Sequence, residues 1–294
     1  MHPIKFILTI AFVLFAATSH GEGLAPSSTT GQVIKHNYYS LSYSEADEQP
    51  EWVYYTISKA SLAGSEARTD NFRPDPKVTS GSATLSDYKG SGFDRGHLAP
   101  AGSMKHSRTA MSESFYLSNM SPQLPAFNRG IWKNLESLVR DWARNSEEIH
   151  VVTGPILNTK KASIGANKVS VPGHYYKIVY DPTGAEKMIA LILPNEACKE
   201  PLQNYVVSVD KVESLTGIDF FASMNDDKEA RLEAHSDISA WKFTPHSKAP
   251  THQKTTSSLS GQCRGTTQST GQRCRNKTSN TNGYCHHHQG QARH

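Results

Sequence analysis

The residues Gly92-Phe-Asp94-Arg95-Gly96-His97-Leu-Ala-Pro-Ala101 put an arginine two places before a histidine, with a glycine between them. A second polar group follows at Asn119, Asn128, Glu136 and Arg140. An imidazole can take a proton, a guanidinium can clamp a phosphate, and an amide beside a carboxylate can seat a hard cation. These are the parts that hydrolysis of a phosphodiester needs. Each also has a plain structural reading. His97 can be a buried structural histidine, Asp94 a turn former and Asn128 a helix cap, while Glu136 and Arg140 can be a surface i, i+4 pair.

Such groups must be held on rigid elements, and the pattern predicts them. Residues 128–144 read as the clearest helix, with Ile131, Leu135, Leu138, Val139 and Trp142 forming one apolar stripe. Asn128, Trp132, Glu136 and Arg140 recur every four places, each about 40° round from the last, as a polar row beside that stripe. Upstream, the alternation from His36 to Ser44 and from Trp52 to Ser58 predicts a half-buried antiparallel pair. The Pro- and Gly-rich stretch from Phe72 to Gly92 reads as a long surface loop that delivers the chain to Asp94. Downstream, Ile149 to Ile156 reads as a strand, and residues 175–180 and 188–193 as a hairpin turning at Asp181-Pro-Thr-Gly184. A smaller helix is expected around Val209 to Leu215. The four tryptophans read as core, and His36, His106, His150, His174 and His235 lack ligand-like spacing.

The chain resembles the DNA/RNA non-specific endonucleases of the ββα-metal type. The resemblance is carried by Asp94-Arg-Gly-His97-Leu-Ala-Pro-Ala, by Phe115-Tyr-Leu-Ser-Asn119-Met-Ser-Pro-Gln123 and by Phe127-Asn128-Arg-Gly-Ile-Trp132-Lys-Asn-Leu-Glu136. It continues in Val151-Val-Thr-Gly-Pro and Val171-Pro-Gly-His-Tyr-Tyr-Lys177, so it covers most of residues 35–245. It implies an α+β fold, a mostly antiparallel sheet with packed helices, and a ββα-metal element over about residues 85–145. It implies His97 as general base, Asn128 as the ligand of Mg²⁺ (or Mn²⁺) and Glu136 acting on that metal through a water. Arg95 and Arg140 match the arginines that hold the scissile phosphate, and Asn119 a residue that shapes the histidine or metal surroundings. A further family arginine fits either Arg68 or Arg73, with Arg73 the preferred register. The implied activity is endonucleolytic cleavage of DNA and RNA with little sequence preference, leaving 5′-phosphate ends, and the family includes dimers. The rival readings are a catalytically silent nucleic-acid-binding module and a toxin-type nuclease with an immunity or inhibitor protein.

The ends of the chain read differently from its body. Lys5 followed by the apolar run Phe6–Ala17, with small residues at Ala17, Ser19 and Gly21, suits a signal peptide over 1–21 better than an anchor. This predicts a secreted or periplasmic protein with no membrane contact after cleavage. A lead-in (22–34), the nuclease domain (35–246), a Ser/Thr/Lys-rich linker (247–261) and a small Cys/His module (262–291) are expected to follow. The formal charge is +4, yet the stretch from Lys248 onward holds seven Lys and Arg and no carboxylate, which leaves the first 247 residues at −3. That stretch can tether a polyanion or simply be a solvated tail. Cys263, Cys274 and Cys285 are each separated by ten residues, and His288 follows the last. A structural Zn²⁺ site of the Cys₃His kind is expected, with His286 or His287 as alternative ligands. Two disulfides that also use Cys198 are the competing reading for an exported chain.

Overall fold

The computed structural model describes residues 22–26, 30–243, 261–267, 270–278 and 280–293. The predicted signal peptide and most of the predicted linker lie outside the described residues. The chain divides into two compact units, residues 1–245 and 246–294, each described by itself.

In the first unit the elements run β1 (Gln32–Lys35), β2 (Ser40–Ser44), β3 (Gln49–Ser58), α1 (Leu85–Tyr88), β4 (Asp94–His97), α2 (Arg108–Glu113), β5 (Met120–Gln123), α3 (Pro125–Phe127) and α4 (Lys133–Ala143). They continue with β6 (Glu148–Pro155), β7 (Ala162–Ile164), β8 (Val169–Val171), β9 (His174–Asp181), β10 (Lys187–Pro194), β11 (Val206–Val207), α5 (Val209–Thr216) and α6 (Asp226–Glu233). Seven strands make one antiparallel sheet in the order β1-β2-β3-β6-β9-β10-β11. The fold is α+β, as the resemblance implied, and the β9–β10 hairpin pairs from Asp181↔Lys187 to His174↔Pro194.

Alternate residues of β3 feed two separate cores. Val53, Tyr55 and Ile57 join Leu135, Leu138, Val139 and Trp142 of α4, so the predicted apolar stripe is buried. Trp52 and Tyr54 point into a second core with Val209 and Val212 of α5 and Leu232 of α6. Because helices cover both faces, β3 is buried nearly throughout rather than half-buried as its alternation suggested. Aromatic rings fill the positions where polar residues would otherwise face water.

The stretch from Phe72 to Gly92 is also less of a surface loop than its composition implies. Asp75 is buried and accepts hydrogen bonds from His36 Nε2 (2.8 Å) and Ser118 Oγ (2.5 Å). Asp87 is buried as well and accepts from Asn167 Nδ2 (2.9 Å) while closing a capping box with Thr84 at α1. Two carboxylates thus anchor a Gly- and Pro-rich segment that has few apolar side chains of its own.

Candidate active site

Strand β4 pairs with β5 in antiparallel register, from Asp94↔Gln123 to His97↔Met120. The chain then enters a helix at Pro125, so two short strands and a helix form a ββα element. Gly96 has a steric reason to be glycine, since a Cβ there would run into the Gln123 side chain. This close approach lets the Asp-Arg-Gly-His strand lie flat on β5.

The helix is not one regular α-helix over 128–144. Residues Asn128–Trp132 form a π turn, in which Gly130 departs from helical backbone angles (φ −101°, ψ −112°). Only residues 133–143 continue as α-helix. The fours-spaced row is therefore broken at its start. Trp132 turns wholly into the core and donates Nε1–H to the His97 carbonyl (3.3 Å). Asn128 is not an N-cap either, because it follows α3 with helical angles (φ −57°, ψ −49°). Single-turn π segments recur at functional sites, where they re-aim a side chain without ending the helix.

Asp94 turns out to organise the site rather than only form a turn. Its carboxylate accepts from Asn128 Nδ2 (2.9 Å), Arg129 Nε (2.8 Å) and Arg129 Nη2 (2.7 Å). Burial works to raise its pKa, but the hydrogen bonds from Arg129 and Asn128 outweigh this and hold the group below the usual carboxylate range. By fixing Nδ2, Asp94 leaves the amide oxygen of Asn128 as the donor atom for a cation. Strand β4 is thus joined to the helix at both ends, through Asp94 to Asn128 and through His97 to Trp132.

His97 is buried, with Phe72 and Phe115 edge-on to its ring at centroid distances of 5.6 and 4.9 Å. Its Nε2 has no hydrogen-bond partner among the described residues. Burial first, then the positive charges of Arg68 and Arg95, push the imidazole pKa down to about 3. The ring is therefore neutral at physiological pH. Asn119 stands behind it, fully buried, donating to the carbonyls of Ala99 and Ser114 (both 2.9 Å) and accepting from Ala99 N (2.8 Å). All these bonds go to main chain, so Asn119 positions the segment that follows His97.

The arginines divide into two groups. Arg95 is exposed and lies over the Phe72 ring at 4.1 Å, and Arg68 lies over the Phe115 ring at 4.7 Å. Phe72 and Phe115 are the two rings that flank His97. Arg73 is engaged elsewhere: it donates to Ser112 O (2.9 Å) and Asn71 O (3.1 Å) and stacks on Tyr116 at 3.9 Å. Arg68 is engaged too, its Nε bonded to Asp70 (2.6 Å), but its charge reaches both His97 and Glu136. Arg140, on α4, has a buried Nη1 without a partner among the described residues and also acts on Glu136.

Burial raises the pKa of Glu136, and the charges of Lys177, Arg140 and Arg68 work against that rise. Lys177 went unassigned from sequence although it sits in a quoted motif. It is fully buried, its Nζ lies 4.6 Å from the Trp132 ring centroid, and among the described residues no hydrogen-bond partner meets it. Burial pushes the ammonium pKa down to about 7, opposed by the Glu136 carboxylate. The sequence signal was only a lysine inside the apolar run Tyr175–Tyr180; its burial points to an opposite charge, since lysine is almost never fully buried without one.

The profile of the DNA/RNA non-specific endonuclease family matches residues 20–227. The chain belongs to that family. A nuclease of Cunninghamella echinulata, called C1, is 37% identical over 215 residues, which cover 67% of this chain and 85% of that one. The mouse mitochondrial nuclease EXOG is 36% identical, with 67% of this chain matching 59% of its length. A solved structure of endonuclease G in complex with EndoGI superposes with a TM-score of 0.60 at 32% identity, covering 66% of this chain and 86% of that one. This nuclease therefore carries the ββα element of its family, with His97 on the strand and Asn128 and Glu136 on the helical segment. In its second unit, the donor atoms of Cys263, Cys274, Cys285 and His288 lie within 4.8 Å of one another, and all four cysteines of the chain are free of disulfides.

Proposed function

We propose that this nuclease hydrolyses DNA and RNA phosphodiesters by in-line attack of a water that His97 deprotonates. Arg68, Arg95 and Arg140 hold the phosphate, and Mg²⁺ or Mn²⁺ sits on Asn128. One observation carries the reading. His97 offers a buried, unpartnered Nε2 from the same strand whose Asp94 orients Asn128.

The donor set fits a hard divalent ion. The amide oxygen of Asn128 would ligate it directly and Glu136 through a water, in keeping with the reluctance of Mg²⁺ to shed its hydration. Bound there, such an ion would supply positive charge to offset the negative charge that phosphodiester hydrolysis develops. The soft thiol cluster of the second unit is a different kind of site.

The protein's own contribution follows from its electrostatics. In the free enzyme Arg68 and Arg95 help to keep His97 unprotonated. A phosphate lying between those arginines offsets their charge, so the proton affinity of His97 rises as substrate binds, which is the direction a base needs. Asn119 keeps the segment after His97 in place, and the buried ammonium of Lys177 favours the ionised form of Glu136. Contacts to phosphate carry no base information, which accounts for low sequence preference.

Export rests on the N-terminal run Phe6–Ala17 after Lys5. Among the described residues no helix is long and apolar enough to cross a membrane. The similar endonuclease G structure is an inhibited complex with EndoGI, which makes an inhibitor protein the partner class expected here.

The test is to strip the protein of metal, restore Mg²⁺ and follow cleavage of plasmid and RNA by the native protein and Asn128→Ala. The native protein should regain activity with Mg²⁺, and the variant should need far more of the ion. Metal-independent cleavage, or nucleic-acid binding without cleavage, would overturn the assignment.

A further inference from the structure

The second unit has almost nothing apolar with which to fold. Its buried cluster among the described residues consists of Cys263, Cys274 and Cys285, exposed by 0%, 4% and 3%. Two strands of two residues, β12 (Gly261–Gln262) and β13 (Lys277–Thr278), close the loop between the first two cysteines. Main-chain bonds from Cys263 N to Asn276 O (2.8 Å) and from Cys274 N to Gly265 O (2.7 Å) hold those cysteines in register. His288 N bonds back to Cys285 O (2.9 Å), which turns the imidazole toward the sulfurs. Gly265 leaves the room this needs, because a Cβ there would meet the His288 ring.

The spacings of the donor atoms separate the two chemistries open to three cysteines. Cys274 Sγ and Cys285 Sγ are 3.9 Å apart, while a disulfide requires about 2.05 Å. His288 Nδ1 lies 3.3 Å from Cys285 Sγ and 3.6 Å from Cys263 Sγ. A tetrahedral ion with Zn–S near 2.3 Å and Zn–N near 2.0 Å has edges of about 3.8 Å between sulfurs and about 3.5 Å between sulfur and nitrogen. The observed separations match those edges.

Donors aimed at the sulfurs give a second, independent sign. Cys263 Sγ accepts from Cys285 N (3.1 Å) and Gly265 N (3.4 Å), and Asn276 Nδ2 lies 3.9 Å from Cys285 Sγ. Such outer-shell N–H groups suit thiolates, the form in which sulfur binds metal. Arg264, Arg273, Arg275 and Lys277 flank the first two cysteines in sequence, all exposed, and their charge complements three thiolates around a divalent ion. Arg273 also closes the structure by donating to the carbonyls of Cys263 (3.1 Å) and Gln262 (3.2 Å).

We propose that Cys263, Cys274, Cys285 and His288 form a structural zinc site, and that this ion folds the second unit. His287 is exposed, and His288 is the imidazole the geometry selects. The metal supplies the stability that an absent hydrophobic core cannot. The inference is independent of the nuclease reading, because its readouts are metal content and spectrum.

The test uses the full-length protein, purified without chelator and analysed for metal, then reloaded with Co²⁺. One zinc per chain is expected, and the cobalt form should show thiolate charge-transfer and tetrahedral d–d bands. Cys274→Ser should lose both signals. Cys198→Ser should keep them, and His288→Cys should keep the zinc with a shifted cobalt spectrum. Zinc retained by Cys274→Ser, or a native chain without zinc whose tail cysteines are oxidised, would overturn the proposal.

Discussion

Asp94 sets the position of the proposed metal ligand without touching substrate. Replacing it by Asn removes the charge that holds Arg129 and gives the Asn128 amide a competing partner. Asp94→Asn should raise the Mg²⁺ concentration for half-maximal activity, with overall stability little changed, as read from a metal titration and a melting curve. Lys177 acts through Glu136 in a similar way. Lys177→Met keeps the volume but removes a wholly buried ammonium that acts on that carboxylate. Breaking a buried charge interaction from one side costs about 3 kcal/mol, so both kcat and the urea midpoint should fall. A variant of native stability and rate would show that the lysine is only filler. Asp94 and Lys177 both sit inside motifs that sequence reading had singled out. Their roles were not legible there because each depends on a partner about 35 to 40 places away in the chain (Arg129 and Glu136). The choice between Arg68 and Arg73 was not legible in the sequence either. Both lie near the right region, and only tertiary packing tells them apart: Arg73 stacks on Tyr116, whereas Arg68 lies over Phe115 beside His97.

Strands, turns and helices were more legible where periodicity alone decides them. The α4 stripe and the hairpin about Asp181 follow directly from apolar spacing and turn chemistry. The π turn was not legible, because Asn128, Trp132 and Glu136 keep α-helical spacing and only tertiary packing of Trp132 against β4 reveals the wider turn. Burial of β3 on both faces was hidden because α5 and α6, which cover its second face, come more than 150 residues later. The β4–β5 pair is the element on which the site most depends. Gly96→Ala should force Gln123 aside, cost about 1–3 kcal/mol by overpacking and displace His97. Chemical denaturation and cleavage assays should show both losses together. Lost activity at full stability would place the effect outside the strand pair.

At the scale of the molecule, His150 gives stability a pH dependence. It is buried against Tyr54, whose hydroxyl lies 2.8 Å from Nδ1, and burial pushes its pKa down to about 4. The unfolded chain takes up this proton below about pH 6.5, whereas the folded chain resists it down to about 4. Its contribution is therefore present above pH 6.5 and is lost as the pH falls through that window, by at most about 3 kcal/mol. His150→Gln should flatten the stability profile between those limits, and an unchanged profile would assign the acid sensitivity to other groups. Charge is also unevenly distributed along the chain. Removing residues 247–294 strips seven cations from a body that is net acidic. If these cations grip nucleic acid, the truncated enzyme should show a higher KM for long DNA and a shallower salt dependence, with kcat retained. Equal salt slopes for both forms would make the tail's charge a matter of solubility.

The central claim is that His97 is the base of a metal-dependent nuclease. Its most direct test is the initial rate of plasmid and RNA cleavage in saturating Mg²⁺ for the native protein and a correctly folded His97→Ala variant. Loss of a general base predicts a fall of about 100- to 10,000-fold on both substrates with DNA binding preserved. A variant that cleaves at the native rate would rule out His97 as the base.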